Sequence, residues 1–544
     1  MASVTDVKRS IRSLLSVPRV ATLLGSILVA LCSGTNYVFS AYAPQLGTRL
    51  NISNTQLNVL ALAGHVGFYV SGPVWGRIID ARGPRIPLIG AAACFFIAYA
   101  GTRRIYDDGI GTAASLSPVL FAVLVALALV IGFGVNAGLN SGINTTAKSF
   151  PESAHATVIG LVLAGLGLSA FCFSTIARVF FPGDASSLLH LLSLATSLPI
   201  LFAWFIVRPI PLPEAYLNPK ADQCQGREPV QSGERVPCIT EQDVGTTNIG
   251  EPDCRTPLLG NRHETRDHCV PDSSSALEIG QVRDQITETE RPDIHGIQLF
   301  TSPDFYLIIS IMTLLSGTGL MYVNNIGSIS LALYAKSNPY YDPIEAAKWQ
   351  AAQVSTFSIG NCAGRIVMGL ISDFTHTYLR LPRAYCLCIV SSAFIISQVF
   401  AIGVSDVSAL WIPSVVVGFA YGSVWGAFPP IVIEWFGLAH LSENWGWVAM
   451  SPLGGGNIFS IMFGRNLDAH TPSQDAQAII PDVKGVVAAL GTMVLQGVPP
   501  QRQCLGGREC YVSSLWVTLM ACVVALALSA WAGIRDGRRS RMRI

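Results

Sequence analysis

Long apolar segments separated by short polar turns run through the chain, and each approaches the roughly 20 residues an α-helix needs to cross a bilayer. From the N-terminus they fall at 20–43, 56–79, 86–103, 117–144, 156–180 and 187–207. After a long polar interval six more follow, at 305–334, 349–372, 384–404, 408–433, 445–464 and 515–534. The pattern predicts an all-α membrane protein of twelve transmembrane helices in two six-helix halves. The first run is long, begins after Lys8, Arg9, Arg12 and Arg19, and lacks a convincing cleavage site. It therefore reads as a true first span and not as a removable signal peptide.

The two sets repeat one another. GRIIDARGPR, from Gly76 to Arg85, ends an apolar segment, and GLISDFTHTYLRLPR ends another from Gly369 to Arg383, an offset of 293. Gly34-x-x-Tyr37-Val38 recurs as Gly319-x-x-Tyr322-Val323 at offset 285. Phe150, Gly160 and Phe173-Ser174 recur as Phe436, Gly446 and Phe459-Ser460 at offset 286. Matches at nearly one offset, each at the same place in a hydrophobic segment, indicate two copies of one membrane-embedded half. Duplicated halves of this kind build transporters with a substrate site between them.

Composition agrees: 51% of residues are hydrophobic and only 13% charged, about half the charged share of a soluble domain. The net charge of +1 says little about partners, and nothing suggests nucleic-acid binding. Its distribution says more. Lys and Arg collect at the N-terminus, at Arg77, Arg82, Arg85, Lys148, Arg208, Arg380 and Arg383, and from Arg535 to Arg543. The positive-inside bias makes that side cytosolic, with both termini on it. The opposite side carries Arg49, the Arg103-Arg104 pair offset by Asp107 and Asp108, and a long segment at about 465–512.

Residues 211–301, rich in Pro, Gly, Ser and Thr, cannot build a packed core and are expected to form a disordered cytosolic linker between a 1–210 half and a 302–544 half. The spacing of Cys224, Cys238, Cys254, Cys269, His263 and His268 contains no CxxC or HxxxH pair, so no zinc site is expected there. Leu258-Leu259 follows Glu251 and Asp253. The arrangement resembles an acidic dileucine signal read by a sorting adaptor, with the acid one position too far away; an incidental leucine pair reads equally. Of the 13 cysteines most lie singly in apolar spans, but Cys504 and Cys510 flank two glycines in CLGGREC on the non-cytosolic side. A disulfide is expected there if the compartment is oxidising.

Polar residues within spans are costly and should face a cavity. Arg365 lies eight residues before Asp373, about 12 Å along a helix and so well inside the bilayer. Its guanidinium suits bidentate binding of a carboxylate, or a tether to another helix. Asn136, Asn140 and Asn144 recur at i, i+4 and i+8 on one face of the fourth span. They line a cavity or hydrogen-bond between helices. Asn36 and Tyr37 in the first span, with Tyr322, Asn324 and Asn325 in the seventh, are related by the duplication and suit a central pocket. Tyr421, Trp425 and Pro429-Pro430 supply aromatic lining and a bend in the tenth span. The expected substrate-binding set is Asn36, Tyr37, Asn136, Asn140, Tyr322, Asn325, Arg365 and Tyr421.

At the cytosolic ends, Gly76 permits close approach, Asp80 ends the second helix, and Arg82 and Arg85 stand in the turn. A carboxylate there can accept from a neighbouring helix N-terminus or pair with a cation. Gly76, Asp80, Arg82, Arg85, Lys148, Asp373 and Glu434 are therefore the expected gating residues. Glu434, the repeat partner of Lys148, offers a gate salt bridge or a carrier for a coupling proton. No nucleophile, base and oxyanion constellation or metal cluster is visible in the spans, so neither an enzyme nor a cofactor is expected.

G-x-x-x-D-x-R-G-x-R resembles the signature loop of the major facilitator superfamily. With SGTNYVFSAYAPQL, LFTSPDFYLI and EWFGLAHLSENWG, the chain is similar to its nodulin-like and monocarboxylate-transporter-like branch, and within that to the fungal monocarboxylate transporter homologue 1 group. The resemblance implies a vacuolar membrane address and alternating-access transport of a small solute. In proton-linked monocarboxylate transporters the eighth helix carries an Asp four residues before an Arg, and the first helix a Lys. Arg365 matches the Arg, but Asn361 stands at the Asp position and Gly34-Thr35-Asn36-Tyr37 supplies no cation. Asn cannot exchange a proton. A non-transporting nutrient sensor signalling through the linker, or plasma-membrane monocarboxylate uptake, would use the same architecture.

Overall fold

The computed structural model describes residues 16–52, 54–110, 116–181, 184–211, 293–338, 342–470, 504 and 506–542. The chain divides into a unit of residues 1–212 with 292–544 and a second unit of residues 213–291. The second unit lies outside the described residues, and with it the Leu258-Leu259 pair and the body of the expected linker. Every regular element among the described residues is helical.

The first half runs α1 (Val17–Ser33), a 3₁₀ helix (Gly34–Ala41), α2 (Ala43–Leu50), α3 (Asn54–Val70), α4 (Gly72–Arg82), α5 (Arg85–Asp108), α6 (Pro118–Ser149), α7 (His155–Phe180) and α8 (Ala185–Ile206). The second runs α9 (Ile297–Thr301), α10 (Pro303–Ser337), α11 (Pro343–Thr377), α12 (Cys386–Gly403), α13 (Trp411–Phe436), α14 (Leu441–Val448), α15 (Ser451–Ala469) and α16 (Val512–Met542). Ten of the described helices are long and apolar enough to cross a membrane. The second and eleventh expected spans are each broken in two, as α3 with α4 and α14 with α15.

The breaks have one chemical cause. Pro73, at the start of α4, brings no N–H for the carbonyl of Tyr69, and Pro452, at the start of α15, brings none for Val448. At the second break Ser451 Oγ donates to the deprived Val448 carbonyl at 2.6 Å; at the first, Ser71 Oγ donates to the neighbouring Phe68 carbonyl at 3.3 Å. The expected first span is likewise interrupted, where α1 tightens into the 3₁₀ helix at Gly34.

Aromatic and aliphatic side chains of both halves join one core, with Phe95 and Tyr99 fully buried in the first and Phe394 and Phe428 in the second. Large apolar side chains also point outward, Phe205 being 72% exposed and Ile458 64%. Such a surface fits a lipid solvent. At the end bearing the terminal helices, Asp304 of α10 clasps Arg535 and Arg539 of α16 at 2.8 and 2.7 Å.

The halves meet through glycines related by the duplication. Gly72 and Gly446 press backbone to backbone, so that a Cβ on Gly446 would lie 2.5 Å from the Gly72 carbonyl carbon. Gly160 meets the Arg365 carbonyl and Gly369 the Ala156 carbonyl, each with 2.5 Å to an added Cβ, while a Cβ on Gly76 would collide with the Ser442 carbonyl. At the far end a disulfide joins Cys504 and Cys510.

Gly446→Ala should lower the melting temperature of the detergent-solubilised protein, because overpacking costs about 1–3 kcal/mol. Gly464, in α15, has nothing within 4 Å of an added Cβ. Gly464→Ala should therefore leave the melting temperature unchanged or raise it by the helical gain of about 0.5–1 kcal/mol; equal losses would contradict the close approach. Arg508 lies between the bridged cysteines. Trypsin cleavage after it should yield fragments that separate only after reductant is added, and separation without reductant would exclude the bridge.

Candidate functional site

Asp80 sits in the last turn of α4, where the helix's own carbonyls disfavour a negative charge. The N-terminus of α14 compensates it. Asp80 Oδ2 accepts from the Glu443 backbone N–H at 2.9 Å, and Oδ1 accepts from Asn144 Nδ2 at 2.7 Å. Asn144 Nδ2 also donates to Ser442 Oγ at 2.6 Å, and Lys148 Nζ stands 3.8 Å from Asp80 Oδ1. Arg77, one helical turn before Asp80, closes the contact by donating to Glu443 Oε1 at 2.8 Å. One carboxylate thus gathers α4, α6 and α14 where Gly76 lets two backbones touch.

The same device recurs in the other half. Asp373, in the last turns of α11, accepts from the backbone N–H groups of Ala156 at 3.1 Å and Thr157 at 2.6 Å, in the first turn of α7. Glu443 follows Thr157 by 286 positions, so the two contacts are duplicates at the level of single backbone atoms. The charge around them differs. Arg383, fully buried, donates to Asp373 Oδ1 at 3.0 Å and to the Glu152 carbonyl at 2.7 Å.

Of the expected gating residues, Gly76, Asp80 and Lys148 come together in the first contact, and Asp373 centres the second. Arg82 and Arg85 are exposed and stand outside both, with the Arg85 guanidinium 5.7 Å above the Trp204 ring. Lys148 pairs with Asp80, whereas Glu434 has Asp536, Arg383 and Glu152 as charged neighbours and leaves its Oε2 without a hydrogen-bond partner. Arg77, Glu443 and Arg383 carry contacts that the sequence did not assign. The Arg383 signal was present, since it closes the second copy of the repeated loop.

The expected substrate-binding residues fall into separate groups. Asn136 Nδ2 donates to the Phe68 carbonyl at 2.7 Å, and Asn140 Nδ2 donates to Asn136 Oδ1 at 2.8 Å. In this conformation the stripe on α6 bonds in two parts, Asn140 and Asn136 at the α3/α4 break and, one turn on, Asn144 at Asp80. Arg365, 2% exposed, reaches across the halves: Nε donates to Asn361 Oδ1 at 3.2 Å and Nη1 to the Leu163 carbonyl of α7. Tyr322 places its hydroxyl 3.3 Å from Ser414 Oγ and stacks on Phe357. Phe357 abuts Tyr421, which leads through Trp425 to Trp445 on α14, an aromatic column that runs toward Glu443. Asn325 bonds back to the Met321 carbonyl of its own helix. Asn36 lines a small cavity in the first half with Phe39, Tyr42, Leu60, Thr102 and Ile131. The Tyr37 side chain lies outside the described residues.

Two helical halves joined by duplicated carboxylate contacts, with a buried guanidinium between them, define a membrane transporter. The Major Facilitator Superfamily profile matches residues 23–456, and the chain belongs to that family. The chain is 24% identical over 505 residues to an uncharacterized membrane protein of Saccharomyces cerevisiae, covering 84% of this chain and 88% of the relative. It is 23% identical over 548 residues to the probable transporter mch1 of Neurospora crassa, covering 93% and 87%. Among solved structures, the proton:xylose symporter XylE aligns with a TM-score of 0.54 at 13% identity, covering 94% of this chain and 95% of that one. A bacterial homologue of the iron transporter ferroportin, in an outward-facing state, aligns with a TM-score of 0.50 at 14% identity, covering 95% and 99%. At these identities the structural likeness establishes the fold.

Asp373→Asn should destabilise the protein more than Asp80→Asn. It leaves the Arg383 side chain, 1% exposed, facing a neutral amide, and breaking a buried pair costs about 3–5 kcal/mol. The Asp80 partners are mostly neutral donors, and Lys148 retains 28% exposure. Thermal unfolding of the two variants in detergent checks this; equal losses would mean that the backbone N–H bonds outweigh the arginine.

Proposed function

We propose that this protein is a secondary active transporter that moves a small, carboxylate-like organic solute across the vacuolar membrane by alternating access. The observation that carries the reading is Arg365. A guanidinium deep in a span costs about 2.5–3.5 kcal/mol on insertion scales, and the partners of Arg365 include a side-chain amide and a backbone carbonyl. Both are weaker acceptors than a carboxylate. A solute carboxylate entering between α7 and α11 would replace them and pull apart the contact of Arg365 with the opposite half.

The Asp80 and Asp373 contacts serve as the gate, on the cytosolic side by the distribution of Lys and Arg. Each hydrogen bond to a charged group is worth about 1.5–3 kcal/mol. Breaking one side of the gate is thus within reach of the binding energy of a small solute. Asn361 cannot carry a coupling proton; Glu434, beside Arg383 and with an unpartnered oxygen, is the carboxyl group that takes that role in this reading. The vacuolar address rests on the family branch the chain resembles, with the Leu258-Leu259 pair, which resembles a sorting signal, as a secondary support.

Uptake of labelled small carboxylates into proteoliposomes, with and without an imposed pH gradient, tests the reading. Gradient-stimulated uptake should fall about 10- to 100-fold in Arg365→Gln, the equivalent of one charge-assisted hydrogen bond. Absence of carboxylate flux, or flux indifferent to the substitution, would overturn the anion reading.

A further inference from the structure

Where the connecting segment re-enters the described bundle, just before α9, three side chains converge that are far apart in sequence. Asp293 and His295 lie on the re-entering strand of chain, and His440 caps the N-terminus of α14. His440 Nδ1 is 2.8 Å from Asp293 Oδ1, and His295 Nδ1 is 3.4 Å from the same oxygen. The two imidazoles lie face to face, with centroids 3.6 Å apart and planes 15° from parallel. One ligand atom from each residue falls within 4.8 Å of the other two.

The backbone holds this arrangement in place. The Ile294 N–H donates to the Phe436 carbonyl at the end of α13 at 3.0 Å, and its carbonyl accepts from Asn444 Nδ2 of α14 at 2.8 Å. Asp293 and His295 therefore flank a residue stitched on both sides to the α13/α14 corner. The His295 Nδ1 atom is buried and makes no hydrogen bond, although it faces the carboxylate. One oxygen is thus asked to serve two imidazole nitrogens and satisfies one. A cation between the three would serve all of them.

We propose that Asp293, His295 and His440 form a binding site for a divalent transition-metal ion. Tetrahedral coordination at 2.0–2.1 Å spaces ligand atoms by about 3.4 Å. The His295 nitrogen already stands at that distance from the carboxylate oxygen; His440 retreats by roughly half an ångström as the shared proton leaves, and the partly exposed rings turn out of their stack so that both in-plane lone pairs point at one ion. Two imidazoles and a carboxylate select zinc, nickel or copper over magnesium or calcium. Three protein ligands on a partly exposed corner leave a fourth position for water. Bound metal fastens the end of the connecting segment to α14, three residues before the backbone N–H that Asp80 holds. The site does not depend on which solute is carried.

Full-length protein in detergent, stripped with chelator, should be titrated with Co²⁺ while the visible absorption of N/O-coordinated cobalt is followed, and then challenged with Zn²⁺. One equivalent should bind and be displaced by zinc. His440→Gln and, separately, His295→Gln should each weaken binding by at least about tenfold, since even outer-sphere partners are worth that much. A double substitution of His263 and His268 in the connecting segment should leave the site intact. Absence of a stoichiometric cobalt band, or a band unchanged in both His440→Gln and His295→Gln, overturns the proposal. His295 is more exposed than His440, so its variant keeps the test decisive if His440→Gln does not fold.

Discussion

The bond from an aspartate at the end of one helix to the backbone N–H groups at the start of another, across the two halves, is the constraint on which this molecule depends. A carboxylate in the last turn of its own helix faces carbonyls that raise its energy. Asp80 and Asp373 are stable there because α14 and α7 bring a positive helix end to each. That delivery requires backbones in contact, and Gly76 and Gly369 remove the Cβ atoms that would stand in the way. Charge and packing are therefore one event: each aspartate keeps the side-chain partners of its own half but meets the opposing helix N-terminus only where the glycine backbones touch.

The duplication is faithful in backbone and unfaithful in charge. Around Asp80 the supporting groups are Asn144, a partly exposed Lys148 and, through Glu443, an Arg77 side chain that is 72% exposed. Around Asp373 a fully buried Arg383 is also held by the Glu152 carbonyl. Exposed pairs are screened and worth little, while an unpaired buried guanidinium is prohibitive. Arg383 and Asp373 belong to the same half, so that pair stands whether or not the halves touch; what crosses between the halves there is the pair of N–H bonds from Ala156 and Thr157 and the Arg383 bond to the Glu152 carbonyl.

The apolar periodicity placed the helices, and the repeated Gly/Asp loop placed Gly76, Asp80 and Asp373, because all of these are set by local sequence. Glu443 and Thr157 escaped because what they contribute is a main-chain N–H, which side-chain chemistry does not announce. The breaks at Pro73 and Pro452 fell inside segments whose hydropathy is continuous, so two expected spans read as single helices. The stripe of Asn136, Asn140 and Asn144 was correctly placed on one face, but the choice between lining a cavity and bonding to other helices depends on what lies opposite. Asp293, His295 and His440 have no common spacing at all. Only the fold brings residue 293 to residue 440.

The broken helices give the Asp80 contact a physical connection to the interior of the bundle. A continuous second span would move as one rod. Pro73 uncouples α4 from α3, and beside the break the Phe68 carbonyl accepts from Asn136, whose own amide oxygen accepts from Asn140. One turn further along the same face, Asn144 holds Asp80 itself. In the second half Pro452 uncouples α14 from α15, and the position of α14 is fixed by Trp445 packed edge-on against Trp425. Each half thus has a short separate segment bearing one side of a single contact, with Asp80 on α4 and its N–H partner on α14. Both segments are positioned by side chains that reach back to the level of the buried tyrosines and asparagines. In the transport cycle proposed above, a solute that shifted the asparagine stripe or the aromatic column would withdraw a hydrogen-bond partner from Asp80.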